Sequence, residues 1–224
     1  MTREERRDRQ TPRMRDLPAP RKNPSLAGPL FRTLWAWPYR FALSGLHRMG
    51  VRPWQLTLLS LIGNAICGWL IVTGRHFLGG ILLLPAGLFD VFDGGVARLR
   101  GEESRKGALL DAASDRVADG IVLGAILYSL VSQDRTEAGL LCLTALIVSL
   151  FVSHVRAEGE ARRIDMSGGL FQRLERYIVL VFGLTVPGML GPVLGVLTAL
   201  GLFTIIQRGV HAWRRLPPRR GIGP

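Results

Sequence analysis

Four aspartates in two pairs are the residues of this chain best placed to do chemistry. Asp90 and Asp93 are three positions apart, and Asp111 and Asp115 are four apart. Either spacing places both members of a pair on one face of a helix, and the short loop around residues 100–106 predicts that the two helices are antiparallel neighbours whose aspartate pairs face each other. Grouped carboxylates repel one another and are costly at membrane depth, so a cation must offset them. Oxygen ligands without His or Cys favour Mg²⁺ or Mn²⁺, which orients a diphosphate and stabilises the charge on its leaving group.

The residues next to the aspartates suit a phosphate ligand. Gly94, Gly95 and Ala97 keep one helix face free of large side chains, so that a phosphate or nucleotide can approach the backbone. Gly107 does the same on the following helix, and Arg98 can pair with a phosphate through two hydrogen bonds.

The alternative interpretation is that the aspartates only form salt bridges at a helix end. Arg98 and Arg116 are the available partners. This explains a single aspartate better than it explains the whole set inside apolar helices. Asp119 continues the same helical face, and we interpret it as a supporting or structural residue.

The rest of the chain is arranged as long apolar blocks between short basic stretches. The net charge is +12 and is carried almost entirely by arginine, which fits nucleic acid, an anionic membrane face or phosphorylated substrates. The bilayer-length apolar blocks favour a membrane protein and argue against a nucleic-acid partner. Cys67 and Cys142 lie inside these blocks and are expected to be buried thiols.

The predicted fold is all-α, a polytopic membrane protein with six transmembrane helices preceded by an interfacial amphipathic helix. Residues 1–27 are predicted to be a disordered basic tail, residues 28–213 the membrane domain and residues 214–224 a basic C-terminal tail. The interfacial helix is predicted at about residues 28–48. The six spans are predicted at about residues 54–74, 78–99, 106–132, 138–160, 172–188 and 191–213.

The distribution of arginine predicts the orientation. Basic residues cluster in both tails and in two of the connections, whereas the opposite connections hold only Arg75 and Arg135. Because basic loops remain on the cytoplasmic side, both termini and the aspartate ends of the helices are expected to face the cytoplasm, in the cell or inner membrane.

At the aspartates the chain resembles the CDP-alcohol phosphotransferases, whose signature is D-x2-D-G-x2-A-R-x8-G-x3-D-x3-D. Every fixed position is matched from Asp90 through Asp115. The resemblance implies that a CDP-linked lipid such as CDP-diacylglycerol donates its phosphatidyl group to an alcohol and that CMP leaves. It implies two Mg²⁺ or Mn²⁺ ions on Asp90, Asp93, Asp111 and Asp115, with Asp115 also as general base. It places Gly94, Ala97, Arg98, Gly107, Pro53 and Thr57 at the CDP-lipid.

The second half of the chain is similar to the actinobacterial phosphatidylinositol-phosphate synthases, which implies inositol 1-phosphate as the acceptor. Three residues depart from that pattern: Arg156 stands in place of a lysine, Leu174 in place of a proline and Gln172 in place of a glutamate. Arginines near the ends of three helices would in any case suit an anionic acceptor. The residues implied to hold its phosphate are Ser153, Arg156, Arg176 and Arg208.

Three alternatives stay open. Phosphatidylglycerol-phosphate synthase uses another anionic acceptor, glycerol 3-phosphate. A divalent-cation transporter would need acidic residues along the whole membrane depth, and a catalytically silent scaffold would not need the full aspartate set. The resemblance also implies a homodimer; Gly191 and Gly195 form a small-x3-small pattern that permits close helix contact.

Overall fold

The computed structural model describes residues 28–162, 164 and 173–215, and all of the regular structure in this part of the chain is helical. The predicted tail at residues 1–27 and residues 216–224 of the predicted C-terminal tail lie outside the described residues. The described helices are α1 (Gly28–Arg48), α2 (Pro53–Val72), α3 (His76–Arg100), α4 (Arg105–Val131), α5 (Thr136–Ala161), α6 (Arg173–Thr185) and α7 (Leu190–Arg215).

Four of these helices are long and apolar enough to cross a membrane: α2, α3, α5 and α7. These four candidate spans agree with a membrane protein and with part of the predicted six-span plan. α4 is long enough at 27 residues, but charged and polar residues occupy its first half. α6 has 13 residues and is therefore about 20 Å long, shorter than a hydrocarbon core of about 30 Å.

Helices α2 to α7 form a closed ring. Going round it, α2 packs on α4, α4 on α5, α5 on α7, α7 on α6, α6 on α3 and α3 on α2, while α1 packs against the outside of α3. The ring encloses a core in which Leu83, Ile126 and Leu194 are fully buried. Cys67 and Cys142 are buried in the same core, as predicted.

The expectation that α3 and α4 are packed neighbours is wrong, although residues 101–104 connect them directly. Both helices pack closely on α2 and make at most marginal contact with each other. The reason lies in α2: Ser60 donates to the carbonyl of Ala86 at 2.9 Å, and Gly63 lets Ala86 approach. Further along, Gly68 accommodates Ile121 of α4. The small residues of α2 thus hold both helices, and α3 and α4 come together at their ends, where the carboxylates converge and where His76 contacts Ser129.

Buried polar side chains fix α2 against α6. Asn64 is fully buried, accepts a hydrogen bond from the hydroxyl of Tyr177 at 3.0 Å and donates to the Ser60 carbonyl at 2.8 Å. Gly87 of α3 makes room for the Tyr177 ring, since a Cβ there would lie 2.6 Å from it. A satisfied polar pair in an apolar interior specifies one arrangement of helices, because any slip leaves both groups without partners.

Candidate active site

The structure brings three of the four predicted aspartates together. One carboxylate oxygen from each of Asp90, Asp93 and Asp111 lies within 4.8 Å of the others. Asp93 is buried, and Asp90 and Asp111 are half-buried. An all-oxygen donor set of this size fits a hard divalent cation, and the predicted convergence of α3 and α4 at this point is confirmed.

Asp115 lies one helical turn beyond Asp111 on α4 and is half-buried. It is not a member of the group of three that approach within 4.8 Å. Its spacing from Asp111 places it on the same face of α4, so it borders the cluster on the side further from the start of the helix.

Thr57 of α2 holds Asp93 in place. Its hydroxyl donates a hydrogen bond to Asp93 Oδ2 at 2.7 Å, and both side chains are buried. The hydroxyl also lies 3.3 Å from the carbonyl of Pro53, the first residue of α2. The hydrogen bond engages only Oδ2 of Asp93, so the second carboxylate oxygen stays available. This contact therefore orients Asp93 toward the cluster. Pro53 and Thr57 are therefore at the cluster, as part of its support.

The start of α4 is fixed by Ser104. Its side chain caps the helix by accepting from the backbone N–H of Gly107 at 3.0 Å. A Cβ at Gly107 would lie 3.2 Å from the Ser104 hydroxyl oxygen, so a glycine suits this tight cap. The cap sets the position of the first turn, and Asp111 follows it by one turn.

The two glycines after Asp93 have different surroundings. A Cβ at Gly95 would collide with the Tyr39 hydroxyl of α1, so Gly95 is needed for packing. At Gly94 the nearest group is Arg98 Nη1 at 3.7 Å, which leaves this side of the helix open. The helix face predicted to be bare is thus open at Gly94, whereas Tyr39 occupies it at Gly95.

Tyr39 also contacts Arg98, which sequence reasoning did not foresee. Arg98 Nη2 lies 3.5 Å from the Tyr39 hydroxyl. Burial raises the pKa of Tyr39, and the charge of Arg98 opposes that rise, so the phenol remains neutral at physiological pH. No sequence spacing signals this contact, because the tyrosine lies on a separate helix.

The hydrogen bonds that the structure gives Arg116 go to backbone carbonyls. Arg116 Nη1 donates to Ala112 at 2.7 Å, and its Nη2 lies 3.4 Å from the carbonyl of Ser153 on α5. Arg116 therefore joins α4 to α5. Ser153 is half-buried at that junction.

A second polar cluster lies deeper in the bundle, around Asp119. The Ser149 hydroxyl donates to Asp119 Oδ2 at 2.6 Å, and Arg176 Nη1 pairs with the same oxygen at 3.0 Å and also contacts Ser149. Asp119 is buried and Arg176 largely so. The stripe Asp111, Asp115, Asp119 was the sequence signal for this site, since a third buried carboxylate on the same face needs a cation.

Arg176 retains hydrogen-bonding capacity beyond this pair. Its Nε is buried and has no partner in the part of the chain that the structure describes. A mostly apolar cavity of about 40 Å³ adjoins it, lined by Asp119, Ser149 and Tyr177 among others. That volume holds a few water molecules but no sugar.

Arg208 and Arg156, the other two arginines predicted to bind the acceptor, differ from each other in exposure. Arg208 is buried in α7 and donates to the carbonyl of Val152 at 2.9 Å. The charges of Arg156 and Arg176 repel its guanidinium and Glu160 attracts it, so these groups share one region. Arg156 itself is exposed and pairs with Glu160 at 2.8 Å.

A comparison with known protein families agrees with the aspartate motif and the helical bundle. The profile of the CDP-alcohol phosphatidyltransferase family matches residues 51–207, and the chain belongs to this family. The resemblance predicted from Asp90 through Asp115 is thereby confirmed.

Individual relatives show which members of this family the chain resembles. Phosphatidylinositol phosphate synthase of Corynebacterium glutamicum is 40% identical over 74% of this chain and 79% of its own. Archaetidylinositol phosphate synthase of Methanothermobacter thermautotrophicus is 38% identical over 64% of this chain and 74% of its own. The crystal structure of Mycobacterium tuberculosis phosphatidylinositol phosphate synthase with CDP-DAG bound has a TM-score of 0.69 and 29% identity, covering 77% of this chain and 92% of that one. The same enzyme has also been solved with manganese and citrate.

Proposed function

We propose that this protein transfers the phosphatidyl group of CDP-diacylglycerol to inositol 1-phosphate and releases CMP. The observation that carries the proposal is the convergence of the Asp90, Asp93 and Asp111 carboxylates on a complete family motif. The relatives named above, which make inositol phosphate lipids, support the choice of acceptor.

Asp90, Asp93, Asp111 and Asp115 would hold two divalent ions, Mg²⁺ or Mn²⁺. Manganese in the mycobacterial structure and the all-oxygen donor set support this. Bound there, the ions would polarise the phosphoryl oxygens and stabilise the charge on departing CMP. Thr57 would act through Asp93 by fixing its carboxylate, and Ser104 through the first turn of α4.

The donor would lie along the open side of α3. Gly94 and Ala97 present little side chain there, and Gly107 does the same at the start of α4. Arg98, held near Tyr39, would pair with a phosphate of the CDP group. Pro53 begins α2 beside this region and would border the nucleotide.

The transfer itself needs a base and a leaving group. Asp115 would take the proton from the attacking hydroxyl of inositol 1-phosphate as that oxygen forms a bond to the phosphatidyl phosphorus. The bond between that phosphorus and the oxygen of CMP breaks, and CMP leaves with the electron pair. Because attack and departure occur at one phosphorus, the carboxylate cluster serves both.

The acceptor phosphate would be held by arginines. The buried Nε of Arg176 has no hydrogen-bond partner among the described residues, and the positive charges of Arg176 and Arg208 act on each other. Ser153 and Arg156 extend the set toward the exposed end of α5. Two or three cations in one region suit a dianionic phosphate better than a neutral alcohol.

We further propose the arrangement in the membrane. Residues 28–213 form one enzymatic domain that crosses the membrane six times. Two of the six crossings are α4, which is polar in its first half, and α6, which is short. α1 lies at the interface, and both termini and the carboxylates face the cytoplasm, as arginine distribution favours. The active form is a homodimer.

A substrate panel with the purified protein tests the reaction. CDP-diacylglycerol and Mg²⁺ are offered with inositol 1-phosphate, glycerol 3-phosphate or free inositol, and CMP release and lipid products are measured. We expect product only, or at least tenfold faster, with inositol 1-phosphate. Faster reaction with glycerol 3-phosphate would replace the proposed acceptor.

The variant that tests the proposed chemistry is Asp115→Asn, which keeps the size and hydrogen bonding of the side chain but removes the base. It should reduce CMP release by about 10²–10⁴-fold while the protein still inserts and purifies. Turnover close to that of the wild type would remove Asp115 from this role.

A further inference from the structure

A second cavity lies at the end of the bundle opposite the carboxylates. It has a volume of about 120 Å³ and is bordered by α2, α3, α4, α6 and the turn before α7. His76 begins α3 and lines the cavity, whereas Asp90 follows fourteen residues later, about 21 Å along the helix. This cavity is therefore separate from the proposed active site.

One wall of the cavity consists of hydrogen-bonding groups. His76 Nε2 and Ser129 Oγ are 2.7 Å apart, and Gln133 Nε2 donates to the same Ser129 oxygen at 3.0 Å. Arg135 completes the wall. These hydrogen bonds join the start of α3 to the end of α4 and use one of the two side-chain amide N–H groups of Gln133.

The charge of this wall favours an anion. Among the described residues that line the cavity there is no carboxylate. Asp134 and Glu137 flank Arg135 in sequence and are not lining residues. A guanidinium and a primary amide together supply several N–H donors, which is the recognition chemistry of a phosphate oxygen.

Another part of the cavity wall is apolar. Ile71, Ile126 and Leu190 line it, and the Pro187–Gly188 turn closes one side. Free inorganic phosphate would leave this wall in contact with water. A phosphate that carries a glycerol and acyl chains would cover it, so the two walls together fit an amphiphile.

We propose that this distal cavity binds the phosphate headgroup of an anionic phospholipid. Arg135 and Gln133 hold the phosphate, and the glycerol and first methylene groups contact the apolar wall. The bilayer supplies phospholipid headgroups at the membrane surface, near which α4 ends and α3 and α5 begin. The proposal does not depend on the reaction proposed above.

Binding of short-chain phosphatidylglycerol to the full-length protein in uncharged detergent tests this, with short-chain phosphatidylcholine and inorganic phosphate as parallel ligands. Isothermal titration calorimetry measures each for the wild type and for Arg135→Gln. We expect saturable binding of phosphatidylglycerol that Arg135→Gln weakens roughly tenfold or more.

The matched control is Arg75→Gln. Arg75 precedes α3 as Arg135 precedes α5, with nearly the same backbone angles (φ −88°, ψ 54° and φ −90°, ψ 59°), but does not line the cavity. It should bind like the wild type, and both variants should keep their CMP release. Equal affinity in wild type and Arg135→Gln, or equal loss in both variants, would overturn the site. Inorganic phosphate binding as tightly as the lipid would overturn the lipid assignment.

Discussion

At the scale of single residues, the cluster depends on a hydroxyl as much as on carboxylates. Asp93 is the buried member of the trio, and its one described side-chain donor is Thr57. A buried carboxylate without that donor would be free to rotate and would be less well solvated. The geometry presented to a metal is therefore set on α2 although the ligands are on α3 and α4.

Replacing Thr57 with valine should raise the Mg²⁺ concentration needed for half-maximal CMP release by about 10- to 100-fold. Valine keeps the shape and removes the hydroxyl, and loss of a group that orients a metal ligand has an effect of this size. Thr57→Ser, which keeps the donor, is the matched control and should stay near the wild type. An unchanged metal requirement in the valine variant would show that Asp93 does not need the contact.

Asp119 is predicted to act on the acceptor by positioning Arg176. Its substitution by asparagine removes the charge that holds the guanidinium, so KM for inositol 1-phosphate should rise about tenfold while KM for CDP-diacylglycerol changes little. Steady-state kinetics with each substrate varied in turn measure this. Ser149→Ala, which removes only a neutral partner, should have the smaller effect. Equal changes in both KM values, or a loss of folded protein alone, would indicate a purely structural role.

At the scale of helices, much of the architecture follows from sequence. The predicted span at residues 54–74 corresponds to α2 at Pro53–Val72, and the one at residues 106–132 to α4 at Arg105–Val131. Apolar length and the breaks between blocks define these segments directly. The packing order does not follow in the same way, because lipid-facing and core-facing residues are equally apolar. The separation of α3 from α4 by α2 rests on Ser60, Gly63 and Gly68, whose roles depend on neighbours distant in sequence.

The candidate site was predictable to a similar extent. The motif spacing identified Asp90, Asp93 and Asp111 because helical periodicity and a short connection were enough to bring them together. The Tyr39–Arg98 contact and the Asp119–Arg176 pair join helices that are far apart in the chain. Only the bundle itself determines those partners.

The packing of α1 on α3 gives a prediction at this scale. Gly95→Ala places a methyl group against the Tyr39 hydroxyl, and overpacking of this kind costs about 1–3 kcal/mol. The thermal midpoint in detergent should fall. Gly94→Ala, with open space at its Cβ, is the matched control for stability and should show little change.

A compensating substitution separates this contact from other effects. Tyr39→Phe removes the hydroxyl, so the double variant Tyr39→Phe with Gly95→Ala should recover part of the lost stability, giving a favourable coupling in the double-mutant cycle. Strict additivity of the two single effects would contradict direct packing of Gly95 on Tyr39.

At the scale of the whole molecule, the ring of α2 to α7 has polar groups concentrated at its two ends. The carboxylate cluster marks one end, and the His76–Ser129–Gln133 chain marks the other. The two native cysteines are buried in between. This makes the chain suitable for testing its orientation with introduced thiols, because the native ones are shielded.

Single cysteines at the exposed positions Glu102 and Asp134 should react from opposite sides of the membrane. Glu102 lies between α3 and α4 at the carboxylate end, and Asp134 lies between α4 and α5 at the other end. A membrane-impermeant maleimide added to intact cells should label Asp134→Cys only, and inverted vesicles should label Glu102→Cys only. The unmodified chain is the background control. Labelling of both from one side would contradict a full crossing by α4.

The side chains of Leu109 and Leu110 point outward immediately before Asp111, with 72% and 49% of their surfaces exposed. A diacyl substrate therefore has an exposed apolar surface for its acyl chains within one helical turn of the carboxylates. Such a substrate reaches the site by lateral diffusion within the bilayer and does not have to enter the water. The quantity that governs its encounter with the enzyme is then its mole fraction in the leaflet, so diluting the bilayer with inert lipid slows the enzyme even when the total amount of donor in the tube is unchanged.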